Sequence, residues 1–265
     1  MGSEMCIRDR FDKPITERIV MGAGDLKGKI ALVTGASRGI GKGICLGLAE
    51  RGANVVATVR TEAARQNLFS ELESFENRSL IVDCDVGSEE EIVATVERTQ
   101  AEFGKIDILV CNAGVLFQST VAETSTDDWD NLMNVNLRGA FISIRECLKI
   151  MPERGGSKIL LISSNSGKWG QVGVGAYCAS KFGLMGLADS LSQELKETEI
   201  GVRVICPGRV HTDMAMDLSE IPDPDPVEWL EVEDIVNSAM FLLNLPPRTI
   251  VSEILIHPRF QIAQK

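Results

Sequence analysis

The stretch KIALVTGASRGIGKGICLGLAER, residues 29–51, carries the pattern that decides the fold. Its apolar run Ile30–Val33 is bounded by glycines and is too short for a helix, which predicts a buried strand. Ile40, Ile44 and Leu48 then recur every four residues, as they do on one face of a helix. A strand, a glycine turn and a helix in this order can present backbone N–H groups and a helix N-terminus to an anion.

The glycines of the turn, Gly35, Gly39 and Gly41, have the spacing G-x-x-x-G-x-G rather than G-x-G-x-x-G. Glycine lets the backbone turn tightly and lets a pyrophosphate approach where a Cβ would be in the way. An ordinary turn between a strand and a helix also contains incidental glycines, so three glycines alone leave both interpretations open.

Composition limits the classes of function. The chain has 265 residues, 44% of them hydrophobic, which is ample for one full core. Its net charge of −11 without a basic block argues against nucleic acid or an anionic membrane as a partner. No apolar run approaches the length of a membrane span.

Cysteines and histidines indicate the compartment and limit the chemistry. The seven cysteines are scattered, odd in number and without a C-x-x-C pair, and no signal peptide precedes them. This predicts free thiols in a reducing compartment, which we take to be the cytoplasm. The only histidines, His211 and His257, are far apart, which argues against a metal site and against a Ser-His-Asp nucleophile.

Strands and helices alternate along the chain, which predicts an α/β fold with a parallel sheet and helices on both faces. Residues 1–20 show no sustained period, and we interpret them as a disordered or non-native extension before a single domain, 21–265. Residues 165–174 form a glycine-rich loop and 213–230, with three prolines among acids, a loop or lid. Strands are expected at 30–33, 54–59, 79–86, 105–111, 158–162, 202–206 and 249–256, and later helices at 61–76, 88–103, 127–151, 176–197 and 231–244.

Five of the predicted strands carry a polar residue, a glycine or a proline at or just past their ends: Gly35, Asp85, Asn112, Ser164 and Pro207. The carboxyl ends of parallel strands meet at one edge of the sheet, where α/β folds bind their ligands. The sequence therefore predicts a binding site at this edge.

Tyr177 is the only tyrosine in the chain, and Lys181 follows it at i+4. On a helix the two side chains are neighbours on one face. A half-buried tyrosine beside a lysine that reaches for solvent would show the same pattern. The pair follows Ser164, at a strand end, by thirteen residues in a chain that already has a nucleotide-type turn.

Taken together, these motifs resemble the short-chain dehydrogenase/reductase family, over residue 29 to about residue 212. All of them occur in the order and spacing of that family. The resemblance implies a single-domain, Rossmann-like, doubly wound parallel sheet of about seven strands. The matching motifs are T-G-A-S-R-G-I-G (34–41), D-V (85–86), N-A-G (112–114), Asn136, Ser164, Y-x-x-x-K (177–181) and P-G-R-V-H-T (207–212).

The resemblance implies a catalytic set of Ser164, Tyr177, Lys181 and Asn136. Tyr177 would protonate a carbonyl oxygen as hydride arrives, or act as the base in reverse. Lys181, one helical turn away, would lower the pKa of Tyr177 from about 10 and bind the nicotinamide ribose. Ser164 would donate to the substrate oxygen, and Asn136 would anchor a water that passes protons to Lys181.

The resemblance also implies a set of cofactor contacts. The first turn would hold the phosphates, Asp85 the adenine edge, and Thr212 the carboxamide, with Pro207 shaping the wall. The residues of this set are Gly35, Ser37, Arg38, Gly39, Ile40, Gly41, Arg60, Asp85, Val86, Asn112, Ala113, Gly114, Tyr177, Lys181, Pro207, Gly208, Val210 and Thr212.

The end of the second strand predicts which nicotinamide cofactor is used. An acid there would accept from a ribose 2′-hydroxyl and repel a 2′-phosphate, and residues 58–61, Thr-Val-Arg-Thr, contain none. Arg38 and Arg60 would place two guanidinium groups near one point, which favours a phosphate. The sequence therefore predicts NADP(H), with the alternative that Arg60 merely faces solvent.

Two departures from the family pattern concern Cys111 and the chain end. Cys111 stands where the family often has the first Asn of N-N-A-G, and a small buried residue should serve there. The last strand continues into His257 and Pro258 instead of a glycine pair, which puts the tetramer contacts of that tail in doubt. By resemblance, a homodimer or homotetramer would form through the helices at 127–151 and 176–197.

Three functions are compared. The first is an NADP(H)-dependent reductase of a small carbonyl compound, either a 3-oxoacyl thioester or a broad range of ketones and aldehydes, or the reverse oxidation of a secondary alcohol. The alternative is a non-catalytic sensor that binds NADP(H). A third is a scaffold that uses the acidic segment 219–228 as a docking peptide. Substrate specificity is expected in 165–174 and 213–230.

Overall fold

The structure, a computed structural model, describes residues 26–216 and 229–259. The predicted extension at 1–20 lies outside these residues, as do 217–228, which contain the prolines of the predicted lid and the docking segment 219–228. A single domain over 21–265 therefore stays a prediction.

A parallel sheet of seven strands organises the described residues, in the order β3-β2-β1-β4-β5-β6-β7. Every neighbouring pair of strands is parallel, as predicted. The strand order reverses between β1 and β4, and a crevice opens at such a reversal beyond the carboxyl ends of the strands. The strands are β1 (Ile30–Val33), β2 (Asn54–Val59), β3 (Ser79–Asp83), β4 (Ile108–Cys111), β5 (Lys158–Ile162), β6 (Gly201–Pro207) and β7 (Glu253–Ile256).

Helices follow the strands, mostly at the predicted positions. Several helices end earlier than predicted. Among the strands, β3 ends earlier than predicted, whereas β4 and β7 begin later, because the apolar pattern extends into the neighbouring turns. The helices are α1 (Gly39–Glu50), α2 (Glu62–Leu72), α3 (Glu89–Phe103), α4 (Thr126–Met133), α5 (Gly139–Leu148), α6 (Gly175–Glu194), α7 (Asp213–Met216) and α8 (Val232–Asn244).

The predicted single helix over 127–151 is wrong in its middle. A π-helical turn, Asn134–Arg138, separates α4 from α5, and α5 ends at Leu148. In this turn Asn136 is 1% exposed and hydrogen bonds to the backbone of Val115. The wider turn leaves the apolar stripe unbroken, so the periodicity could not reveal it.

Both predicted loops contain some regular structure. Asn165–Gly167 is a 3-10 turn at the start of the glycine-rich loop. In the segment 213–230, Asp213–Met216 is helical, and Trp229 and Leu230 are buried. Leu230 N–H donates to the Arg209 carbonyl at 2.8 Å, so this part of the predicted lid is tied to the body of the protein.

The core consists of two apolar layers, one on each face of the sheet. On one face α1, α2 and α8 pack against the alternate strand residues that include Ala31 and Val33. On the other face α3, α5 and α6 pack against those that include Ile30 and Leu32. Full burial of such a side chain contributes about 2 kcal/mol, so the covered sheet holds the strand ends in fixed positions.

Candidate active site

A cleft of about 490 Å³ opens at the carboxyl ends of the strands, where β1 and β4 part. It brings together every predicted site residue except Asn136. The predicted residues that line it are Gly35, Ser37, Arg38, Gly39, Ile40, Gly41, Arg60, Asp85, Val86, Asn112, Ala113, Gly114, Ser164, Tyr177, Lys181, Pro207, Gly208, Val210 and Thr212.

The glycine turn between β1 and α1 is too closely packed for other residues. Gly35 has φ +68° and Gly39 has φ +56°, the left-handed region that side chains disfavour. A Cβ at Gly41 would lie 2.3 Å from the Gly35 carbonyl oxygen and 2.4 Å from Asn112 Nδ2. The shape of the turn therefore requires these glycines, and the interpretation that they are incidental is excluded.

The N-terminus of α1 is free to receive an anion. Its N-cap, Arg38, makes no side-chain capping bond within the described residues, and the first turn holds no acid. By contrast, the Ser88 hydroxyl caps α3, and three glutamates fill the first turn of that helix. Uncapped N–H groups and the dipole of α1 fit the pyrophosphate of a dinucleotide, so the residues present suit such a cofactor.

Two threonines that were not predicted as site residues hold this turn in place. Thr34 Oγ1 accepts from the N–H groups of Asn112 at 3.0 Å and Ala113 at 3.2 Å. Thr58 Oγ1 accepts from Gly35 N–H at 3.1 Å. Asn112 Nδ2 donates to the carbonyls of Thr34 and Gly35, both at 3.0 Å. In the sequence, both threonines could have been identified by a hydroxyl side chain at or next to the end of an apolar strand.

Tyr177 and Lys181 lie one turn apart on α6, opposite Ser164 at the end of β5. Lys181 Nζ is 5.5 Å from the centre of the Tyr177 ring and donates to the Ile162 carbonyl at 3.0 Å. The Ser164 hydroxyl lies near enough to the Tyr177 phenol to act on its pKa. Ser164 Oγ also accepts from Ser166 N–H at 3.1 Å and donates to Asn165 Oδ1 at 3.0 Å.

The predicted lowering of the Tyr177 pKa is wrong for this structure. Burial raises the pKa of Tyr177 to about 12, and the neighbouring Ser164 hydroxyl only partly offsets this. Burial likewise lowers the pKa of Lys181 from 10.5 to about 8. Burial acts against the charged form of each group, and here it outweighs the proximity of the ammonium on which the prediction rested.

Asn136 lies behind the cleft. Its Oδ1 accepts from Val115 N–H at 2.7 Å, and its Nδ2 donates to the Val115 carbonyl at 2.9 Å and to Ser180 Oγ at 3.2 Å. The amide therefore fastens the π-helical turn to the segment after β4 and to α6. The water that the resemblance assigns to Asn136 stays a prediction.

Arg38 and Arg60 both line the cleft, but the side chains and solvent around them differ. Arg38 Nη1 pairs with Asp213 Oδ2 at 2.9 Å, with 60% and 65% of the two side chains exposed. Arg60 is exposed at the end of β2, directly before Thr61, whose hydroxyl caps α2 by accepting from Ala64 N–H. Arg38 thus has a protein partner that a bound phosphate would have to displace.

Comparisons with known proteins agree with this geometry. The family model described as short chain dehydrogenase matches residues 29–222. The chain belongs to the short-chain dehydrogenases. As a member of this family it is an oxidoreductase that transfers a hydride between a nicotinamide cofactor and a carbonyl or alcohol, and none of its helices within the described residues could span a membrane.

Three relatives of this short-chain dehydrogenase illustrate its similarities. The 3-oxoacyl-[acyl-carrier-protein] reductase FabG of Salmonella typhimurium is 36% identical over 194 residues, 73% of this chain and 78% of that protein. Glycine betaine reductase ATRR of Emericella nidulans is 32% identical over 96% of this chain, which spans 20% of that protein. A short chain dehydrogenase from Burkholderia cenocepacia, solved in complex with NADP, aligns with a TM-score of 0.82 at 27% identity, covering 88% of this chain and 98% of its own.

Proposed function

We propose that this short-chain dehydrogenase is an NADP(H)-dependent reductase of a small ketone, an aldehyde or a 3-oxoacyl thioester, and that Ser164, Tyr177, Lys181 and Asn136 serve the reaction. The observation that carries the proposal is the meeting of Ser164, Tyr177 and Lys181 beside a glycine turn that suits a dinucleotide. FabG supports the acyl-thioester option by its own activity.

Each side chain has a defined part in the proposed chemistry. When bound, the nicotinamide supplies the hydride. Ser164 donates a hydrogen bond to the carbonyl oxygen of the substrate and holds it in line, and Tyr177 gives its phenolic proton to that oxygen. Lys181, charged at neutral pH, stabilises the negative charge left on Tyr177 and binds the ribose. Asn136 holds the π-helical turn in place, and we propose that it also anchors a water that returns protons to Lys181.

The preference for NADP(H) is supported by the end of β2. No acidic side chain stands at residues 58–61, and Arg38 and Arg60 both line the cleft. A guanidinium binds a phosphate with two parallel hydrogen bonds, so these residues favour the 2′-phosphate. The relative from Burkholderia cenocepacia was solved with NADP, which agrees with this choice.

Assembly and compartment complete the proposal. Trp129, Phe141 and Phe182, on α4, α5 and α6, are each at least 40% exposed. Large exposed apolar side chains favour association, and we propose a homodimer or homotetramer through these helices. The free, buried thiols of Cys45, Cys84, Cys111, Cys147, Cys178 and Cys206 support a reducing compartment such as the cytoplasm.

A Tyr177→Phe variant tests the function. NADPH absorbance is followed with a panel of ketones, aldehydes and 3-oxoacyl thioesters for wild type and variant. We expect the variant to bind NADPH as wild type does and to lose at least a hundredfold in kcat, because general-acid catalysis contributes roughly that much. Unchanged turnover in the variant would overturn the role of Tyr177, and binding of NADPH without turnover of any carbonyl by wild type would favour the sensor.

A further inference from the structure

Three neutral polar side chains extend from Ser164 along the wall of the cleft. Asn165 and Ser166, on the 3-10 turn, are 5% and 4% exposed, whereas Gln171, on the loop that follows, is exposed. Asn165 Oδ1 accepts from Ser164 Oγ and from Gln171 Nε2, each at 3.0 Å. Ser164 Oγ and Gln171 Nε2 therefore lie no more than 6.0 Å apart.

The loop that carries Gln171 is fixed on both sides of it. Before Gln171, the Trp169 ring stacks on His257 with centroids 5.5 Å apart, and Lys168 Nζ pairs with Glu253 at 2.9 Å. After Gln171, the Gly173 carbonyl accepts from Ser119 N–H at 2.7 Å. Contacts on both sides hold Gln171 in one place, as selective binding requires.

The network fixes which end of the Gln171 amide remains available. Nε2 has two hydrogens, and it donates to Asn165 Oδ1 at 3.0 Å and to Ser166 Oγ at 2.9 Å. Gln171 Oε1 accepts no hydrogen bond from residues 26–216 or 229–259. The end of this side chain is thus an acceptor at the cleft, and only a group with O–H or N–H can pair with it.

We propose that Gln171 is a specificity-determining residue, whose Oε1 accepts a hydrogen bond from a hydroxyl group next to the reacting carbonyl of the substrate. The inference rests on the proposed function, since Ser164 must hold the carbonyl within reach of Gln171. The preferred substrates are then α-hydroxy carbonyl compounds. A purely apolar neighbour, or an ether oxygen that can only accept, gains nothing at this position.

The test compares three ketones that differ only beside the carbonyl: hydroxyacetone, butanone and methoxyacetone. Wild type, Gln171→Leu and the control Val172→Leu are assayed for kcat/KM with NADPH. Val172 is the next residue, is 97% exposed and does not line the cleft. We expect Gln171→Leu to lower kcat/KM for hydroxyacetone about five- to tenfold, the factor for one neutral hydrogen bond, and to leave the other two ketones within twofold. Val172→Leu should change none of them.

The outcomes separate the two proposals. An equal loss for hydroxyacetone and butanone in Gln171→Leu would overturn the specificity role and leave the reductase function in place. A selective loss for methoxyacetone would mean that the amide offers its N–H groups to the cleft, which also overturns the inference. If wild type reduces none of the three ketones and no other carbonyl, the proposed function falls and the specificity role falls with it.

Discussion

Replacing Lys181 by methionine should stabilise the cofactor-free protein while it removes the cation of the proposed reaction. Lys181 is 4% exposed, and burial lowers its pKa from 10.5 to about 8. Such a difference in pKa corresponds to about 3 kcal/mol, because each factor of ten in proton affinity is worth about 1.4 kcal/mol. Loss of the hydrogen bond from the charged ammonium to the Ile162 carbonyl offsets about 2 kcal/mol, which leaves a net gain of about 1 kcal/mol at pH 7.

The destabilisation of the folded chain by the buried Lys181 charge depends on pH. Below pH 8 the lysine is protonated in both the folded and the unfolded chain, so the folded state bears the full destabilisation. Between pH 8 and 10.5 the folded chain releases the proton first, and the destabilisation is progressively relieved. The advantage of Lys181→Met over wild type should therefore shrink across this window.

Urea unfolding of wild type, Lys181→Met and Lys158→Met at several pH values between 7 and 10 measures these differences. Lys158 is the matched control, because it is 3% exposed, burial also lowers its pKa to about 8, and it does not line the cleft. Lys158→Met should stabilise the chain similarly and keep its NADPH oxidation, whereas Lys181→Met should lose it. A Lys181→Met protein that is less stable than wild type at pH 7, or an advantage that is constant with pH, would refute the reasoning.

Three further predictions concern the cofactor half of the cleft. Thr34→Val leaves two backbone N–H groups after β4 without their acceptor, and we expect a loss of about 2 kcal/mol in urea unfolding; an unchanged midpoint would contradict it. Gly41→Ala places a methyl group 2.3 Å from the Gly35 carbonyl and should weaken NADPH binding at least tenfold in a fluorescence titration, whereas Gly186→Ala, with open space around it, should not. Arg60→Asp should raise KM for NADPH about tenfold and lower KM for NADH, since an acid repels the 2′-phosphate; an unchanged ratio of the two KM values would rule out Arg60 as the selecting residue.

The order of strands and helices could be predicted because apolar patterning and glycine turns are local signals. The strands at 54–59 and 158–162 were predicted to the residue. The π-helical turn Asn134–Arg138 could not be predicted, because Asn136 accepts a hydrogen bond from Val115, which lies 21 residues earlier and outside the helical pattern. The meeting of the site residues that stand at or just past a strand end followed from the parallel sheet alone. Tyr177 and Lys181 lie on α6 instead, and they reach the cleft through the packing of that helix.

The electrostatics of the site depend on burial, which the spacing of two residues does not reveal. A lysine at i+4 predicts a stabilised phenolate, but the burial of both groups favours the neutral phenol instead. The pKa of Tyr177 is about 12, so the phenol is neutral at pH 7 in the cofactor-free protein. The pKa of Lys181, about 8, still leaves most of the ammonium charged there.

These two protonation states have a consequence for the direction of the proposed reaction. A neutral phenol can give a proton to a carbonyl oxygen that is being reduced, whereas oxidation of an alcohol needs the phenolate to take one. With the pKa of Tyr177 raised to about 12, the phenol is neutral at pH 7 in the cofactor-free protein, which is the form that the proposed reduction uses. In the proposed reaction, the charged Lys181 would stabilise the phenolate that forms beside it when Tyr177 gives up its proton, because two opposite charges attract strongly in a buried cleft. Burial of the Lys181 ammonium thus destabilises the free protein, and the same buried charge would stabilise the site at the step in which Tyr177 becomes charged.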